Sequence, residues 1–251
     1  SIEWKNPIEW PQPPVVDPLP TEDAPTRRAE LTIVHDDGDL IAINKPPGML
    51  VHRGWARDGV PALQRLRDQL GRHVYPVHRL DRATSGVLLF ALSSEVARDM
   101  QRLFEVCAVD KRYLALCRGH TATLRRVDHP LARDEDAVKR AAVTDLRLLG
   151  QFERYGLYEA RPHGGRTHQI RRHLKHASLP IIGDVRYGKG AHNRLFRERF
   201  GFSRLALHCQ SMAFEHPRGA GRTVIEAPVT TDLFQLLVQL GLDRATSPGD
   251  A

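Results

Sequence analysis

Apolar and polar positions along the chain repeat with two periods, and the alternation between them outlines the elements. Leu31-Thr32-Ile33-Val34-His35 and Leu40-Ile41-Ala42-Ile43-Asn44 are β-type runs around Asp36-Asp37-Gly38-Asp39, which predicts a hairpin closed by an Asp-Gly turn. Lys45-Pro46-Pro47-Gly48 ends the second strand, because proline lacks the ladder donor and glycine permits a sharp turn. Leu63, Leu66 and Leu70 at helical spacing behind Pro61 predict a helix over 61–73. Val87 to Leu92 is a continuous apolar run suited to a buried strand. Ser93-Ser94-Glu95 then offers an N-cap to a helix whose stripe is Val96, Met100, Leu103, Phe104 and Cys107.

Strand character returns at Lys111 to Cys117, and again at 142–149 and 156–161, with a polar loop or short hairpin excursion at 119–141 between them. Gly164-Gly165 allows a tight entry into a helix that buries Ile170, Leu174 and Ala177. Ile181-Ile182-Gly183-Asp184 reads as a strand end with a turn, and 187–202 as a basic loop with a short helix. Leu205 to His208 and Ser211 to Phe214 form one long strand or a bulged pair. Thr230-Thr231-Asp232 caps a last helix that buries Leu233, Leu236, Leu237 and Leu240 and stops at Gly241. Seven prolines within the first 25 residues disfavour helix and sheet alike, so 1–30 is expected to be an extended or disordered arm; 31–242 is the globular body and 243–251 a loose tail.

Composition narrows the class. A chain of 251 residues, 41% hydrophobic and 27% charged, is long enough for a substantial core and ordinary for a soluble globular protein. No apolar run is long enough to span a bilayer and no signal peptide is recognisable, so a cytoplasmic protein without a membrane partner is expected. Cys107, Cys117 and Cys209 lack metal or disulfide spacing and read as buried thiols. A formal charge of +7 suits a polyanionic partner, nucleic acid first among them.

Two stretches carry candidate chemistry. In His78-Arg79-Leu80-Asp81-Arg82-Ala83-Thr84-Ser85-Gly86, a carboxylate sits between two arginines directly before an apolar strand; a paired surface turn and a presented, reactive acid both fit these residues. In Gly164 to His176, Arg171, Arg172 and Lys175, with Arg166 and His168, give the helix a basic face suited to phosphates or simply to solvent. His168, His173 and His176 lack metal-ligand spacing. Lys45 is either a solvated strand end or a charge near a phosphate, and Tyr113 taken alone is an ordinary core tyrosine.

Together these motifs resemble the RluA family of pseudouridine synthases. The resemblance rests on His78 to Gly86, on Asn44-Lys45-Pro46-Pro47-Gly48, on Lys111-Arg112-Tyr113, on Gly165-Arg166-Thr167-His168-Gln169-Ile170-Arg171 and on Ile182-Gly183-Asp184, in the family's order over residues 31–241. Within the family, Leu50-Val51-His52-Arg53 with Trp55, the His192-Asn193-Arg194 segment and Phe200-Gly201 resemble the TruC branch, which acts on tRNA uridine 65; the alternative within the family is a uridine in 23S rRNA or at another tRNA site.

The resemblance implies an α+β fold with a bent, mixed, mainly antiparallel sheet, flanking helices and a cleft across the sheet. It implies isomerisation of uridine to pseudouridine in RNA by a monomer, with neither cofactor nor metal. It assigns Asp81 as the catalytic carboxylate, Arg166 as the cation paired with it, and Tyr113 as the ring stacked on the target uracil. Arg79 would fill the gap left by the flipped nucleotide. Arg82, Lys45, His52, Arg171, Arg172, Lys175, Lys189 and Arg194 would contact the RNA. Two rivals of other classes are a non-catalytic RNA-binding protein on the same scaffold and a glycosidic hydrolase; the latter normally needs a second carboxylate, which the Asp81 motif does not offer.

Overall fold

The computed structural model describes residues 30–52, 59–121, 124–132, 138–219 and 221–246. Residues 1–29 of the proline-rich arm, Arg53, Trp55 and the last five residues lie outside them. The expected hairpin is β1 (Ile33–Asp36) and β2 (Leu40–Lys45), turned by Asp37, whose Oδ1 accepts from the backbone N–H of Asp39 and Leu40. Next come α1 (Ala62–Leu70), ended by Gly71 in the left-handed region, and the two-residue β3 (Tyr75–Pro76). Then β4 (Ser85–Ala91) leads into α2 (Ser94–Glu105), where the Ser93 side chain accepts the Val96 N–H. The remaining elements are β5 (Asp110–Arg118), β6 (Leu124–Asp128), β7 (Val143–Phe152), β8 (Tyr155–Pro162), α3 (Gln169–His176), α4 (Gly190–Phe200), β9 (Leu207–Glu215), β10 (Arg222–Glu226) and α5 (Thr231–Gln239).

All the strands join one open sheet in the order β1-β2-β4-β9-β5-β8-β7-β6, with β3 alongside β4 and β10 alongside β9. Every strand pairing is antiparallel except β4 with β9, which run parallel and touch only where Ser85 and Gly86 face His208 and Cys209. The sheet therefore has two antiparallel halves joined at one short seam, as expected of a mixed, mainly antiparallel α+β fold. β4 is buried at every position, which explains its unbroken apolar run; β6, at the far edge, buries only Val127.

The seam dictates Gly86. At φ +110 it occupies a conformation side chains rarely adopt, and a Cβ there would lie 2.1 Å from the Cys209 carbonyl oxygen. The Asp81 loop feeds straight into this contact, so the place where the halves meet also fixes the loop.

The structure alters the expectations for Cys107 and the tail, and adds strands at two places. Cys107 lies beyond α2 and is exposed, because the helix ends at Glu105; Cys117 and Cys209 are the buried thiols. The polar excursion contains an edge strand, β6, held by β7. β10, too polar to stand out by alternation, is recruited by register with β9. The expected loose tail begins with a 3-10 turn at Asp243–Thr246, with Ala245 against the core. Among the described residues no helix is long and apolar enough to cross a membrane.

Candidate active site

Asp81 sits in a turn closed by the Thr84 N–H on the Asp81 carbonyl (3.0 Å). The turn is tied to the end of β2: Gly48 N–H donates to the Arg82 carbonyl (2.8 Å), and Arg82 Nε donates to the Gly48 carbonyl (2.9 Å). Lys45 is part of the same joint. It is fully buried, and its Nζ donates to the carbonyls of Pro46, Met49 and Arg82. Both earlier readings of Lys45 are thus corrected: it faces neither solvent nor RNA, but cross-links the β2 turn to the Asp81 loop. Burial, with Arg204 adding to it and Asp81 opposing, lowers its pKa to about 7. On the other side of the loop His78 accepts the Leu89 N–H through Nε2 and stacks on Phe104; burial, then Lys111, lowers it to about 3, so it is neutral.

The cation on Asp81 is Arg171. Its guanidinium donates from Nη1 to Asp81 Oδ2 (3.0 Å) and grips Asp184 from Nε (2.8 Å) and Nη2 (2.9 Å). This corrects two expectations. Arg166 lies in the exposed turn before α3 and makes no ion pair with Asp81 among the described residues, whereas Arg171 stands in the first turn of α3, buried, with Asp81 in reach. Arg171 is therefore no phosphate contact either. Burial works against its charge, but Asp184 and then Asp81 outweigh it and raise its pKa.

Asp184 is the residue the sequence reading missed as part of the site. It is buried, its Oδ1 also accepts the N–H groups of Arg186 and Tyr187 (2.9 Å each), and its carbonyl accepts from Asn193 Nδ2. Helical spacing held a signal for the pair: 170, 171, 174 and 177 form one stripe, so Arg171 belongs to the buried face and requires a buried acid.

Asp81, Arg79, Tyr113, Arg166, His168 and Arg171 line one cavity of about 140 Å³, with Leu80, Pro162, Ile170 and Leu207 supplying apolar wall. Tyr113 reaches it from β5 and is buried; burial, then the neighbouring Cys209 and Asp81, push its phenol well above the ordinary value, so the hydroxyl keeps its proton. The cavity offers a carboxylate with one oxygen held by Arg171, beside a space bounded by an aromatic ring. That arrangement suits a planar heterocycle with an attached sugar.

The other expected RNA contacts separate by exposure. Arg79, Arg82, His52, Lys175, Lys189 and Arg194 are exposed, and Lys175 lies over the Tyr187 ring. Arg172 spends its Nη1 on the Ala132 carbonyl. His173 bonds Thr144 Oγ1 and the His129 carbonyl, and His176 stacks on His129; among the described residues no three potential ligand side chains cluster for a metal.

Two solved structures share this architecture. Human RNA Pseudouridylate Synthase Domain Containing 4 superposes with a TM-score of 0.71 at 23% identity, over 84% of this chain and 93% of that one. Human RNA Pseudouridylate Synthase Domain Containing 1 gives 0.68 at 23% identity, over 89% and 90%. The sequence pattern of the RNA pseudouridylate synthases matches residues 39–176, which hold Asp81, Tyr113 and Arg171, and the chain belongs to that family. It is an isomerase that converts uridine in RNA to pseudouridine. Among its relatives, the tRNA pseudouridine synthase C of Haemophilus influenzae is 43% identical over 237 residues, 85% of this chain and 99% of that protein. That of Vibrio cholerae is 42% identical over 84% and 96%, and that of Pasteurella multocida 45% identical over 82% and 95%.

Proposed function

We propose that the substrate is tRNA, that the uridine is the one at position 65, and that Asp81 is the reactive carboxylate. The observation that carries the substrate is the similarity to relatives named tRNA pseudouridine synthase C, which runs through nearly the whole of those proteins. The reaction breaks the N1 to C1′ bond, turns the uracil and joins C5 to C1′; N1 gains a proton and C5 loses one, so no redox partner or donated group is needed.

Arg171 holds Asp81 Oδ2 and leaves Oδ1, which makes no hydrogen bond among the described residues, as the oxygen that meets ribose or uracil. Tyr113, its hydroxyl protonated, presents a ring face to the base. Extruding the nucleotide costs a few kcal/mol, and Arg79, exposed and lining the cavity, fills the vacated stack. Arg82, Arg166, Lys175, Lys189, Arg194 and His52, all exposed, contact the RNA, the cations through its phosphates.

Site-resolved pseudouridine mapping after incubation with unmodified tRNA and ribosomal RNA tests this reading. One reacted tRNA uridine, at position 65, is the expected result. Reaction confined to ribosomal RNA or to another tRNA position overturns the substrate assignment and leaves the isomerase standing.

A further inference from the structure

Asp81, Arg171 and Asp184 are three members of a closed circuit whose other two, Tyr187 and His168, have no role in the account so far. Asp184 fixes the Tyr187 backbone through its N–H (2.9 Å), and the Tyr187 ring lies 5.1 Å from the Arg171 guanidinium carbon. The Tyr187 hydroxyl is 3.1 Å from His168 Nδ1, with the rings edge to face. His168 Nε2 stands 3.7 Å from Asp81 Oδ1, the carboxylate oxygen that Arg171 leaves unheld. His168 also adopts φ 53, a left-handed backbone that non-glycine residues rarely take, with no side-chain cap to account for it.

We propose that Tyr187 and His168 are positioning residues for Asp81: the Tyr187 hydroxyl donates to His168 Nδ1, which places the ring hydrogen on Nε2 and turns it toward Asp81 Oδ1. The inference rests on Asp81 being the reactive carboxylate. The opposite tautomer would set a nitrogen lone pair against a carboxylate oxygen at 3.7 Å, which is repulsive. Burial is the main force against an imidazolium at His168; Asp81 and Asp184 favour the charge and Arg171 and Arg186 oppose it, so the pKa is lowered and the ring is neutral. At 3.7 Å the Nε2–H biases the direction of Oδ1 without occupying its lone pairs, so the oxygen is aimed while still available to substrate.

Long-range ¹H–¹⁵N correlation on the wild-type chain near neutral pH reads the tautomer directly and needs no variant. A protonated Nε2 and a bare Nδ1 on His168 are expected; a protonated Nδ1, or an imidazolium, overturns the proposal. Turnover on an unmodified tRNA transcript supplies the second arm. Tyr187→Phe, which keeps the ring over Arg171, should lower kcat about tenfold with KM within about twofold, the scale of one lost orienting hydrogen bond. His168→Gln, which keeps an N–H donor, should retain more kcat than His168→Ala. Wild-type kcat in Tyr187→Phe, or equal losses in the two His168 variants, overturns the role. Wild-type turnover by Asp81→Asn would instead remove the reading on which the role rests, while the measured tautomer would stand.

Discussion

Arginine meets carboxylate in two regions of this molecule with opposite consequences. At the cavity, Arg171 bridges Asp184 and Asp81 with its side chain 10% exposed and that of Asp184 1% exposed. Between the edge strand β6 and its neighbour β7, Arg126 pairs with Asp145 at 63% and 35% exposure. The bond lengths are alike, 2.7 to 3.0 Å for these contacts. What differs is the medium. In water such a pair gains little, whereas a buried acid left without its cation carries a large penalty. The same chemistry therefore decorates one end of the sheet and fixes the Asp81 carboxylate in the cavity at the other.

Exchanging the cation breaks the comparison most strongly. Arg171→Lys removes the fork that spans two carboxylates and should lower kcat on the order of 10²-fold. Arg171→Ala should also destabilise the fold by about 3 kcal/mol, because Asp184 stays buried and unpaired; urea unfolding with turnover on the tRNA transcript separates the two effects. The pH dependence of unfolding gives a smaller difference. Burial pushes Asp184 up, but Arg171 and the N–H groups of Tyr187 and Arg186 outweigh it and hold the carboxyl below its ordinary 3.8. A depressed carboxyl contributes stability that is present above its unfolded value and lost as pH falls through its folded value. Asp184→Asn should accordingly flatten the decline in stability below about pH 4. Asp145 is held at about 2 by Arg126, against partial burial and with help from His163, yet it is solvent-screened. Arg126→Ala, the mildest change, should leave kcat and the midpoint of unfolding at their wild-type values.

The fold was legible where periodicity is strong: the β1–β2 hairpin, the unbroken run of β4 and the stripes of α2 and α5 all follow from spacing. β3 and β10 were not, since two residues carry no period and Arg222–Glu226 takes its conformation from β9. At the site, the position of Asp81 before a buried strand was readable. Which arginine pairs with it was not, because Arg166 and Arg171 lie in one motif and their separation depends on where α3 begins. Lys45 misled because its three acceptors are backbone carbonyls, which no residue pattern displays.

Asp81 Oδ1 is the proposed reacting atom, with Arg171 and the groups around it holding the carboxylate in place. Asp81→Asn keeps the shape of the side chain and removes its charge, so single-turnover pseudouridine formation, measured beside RNA binding, tests it most directly. The account predicts no detectable product, with the affinity for the tRNA transcript within a few-fold of wild type. Pseudouridine formed at the wild-type rate by that variant would contradict it.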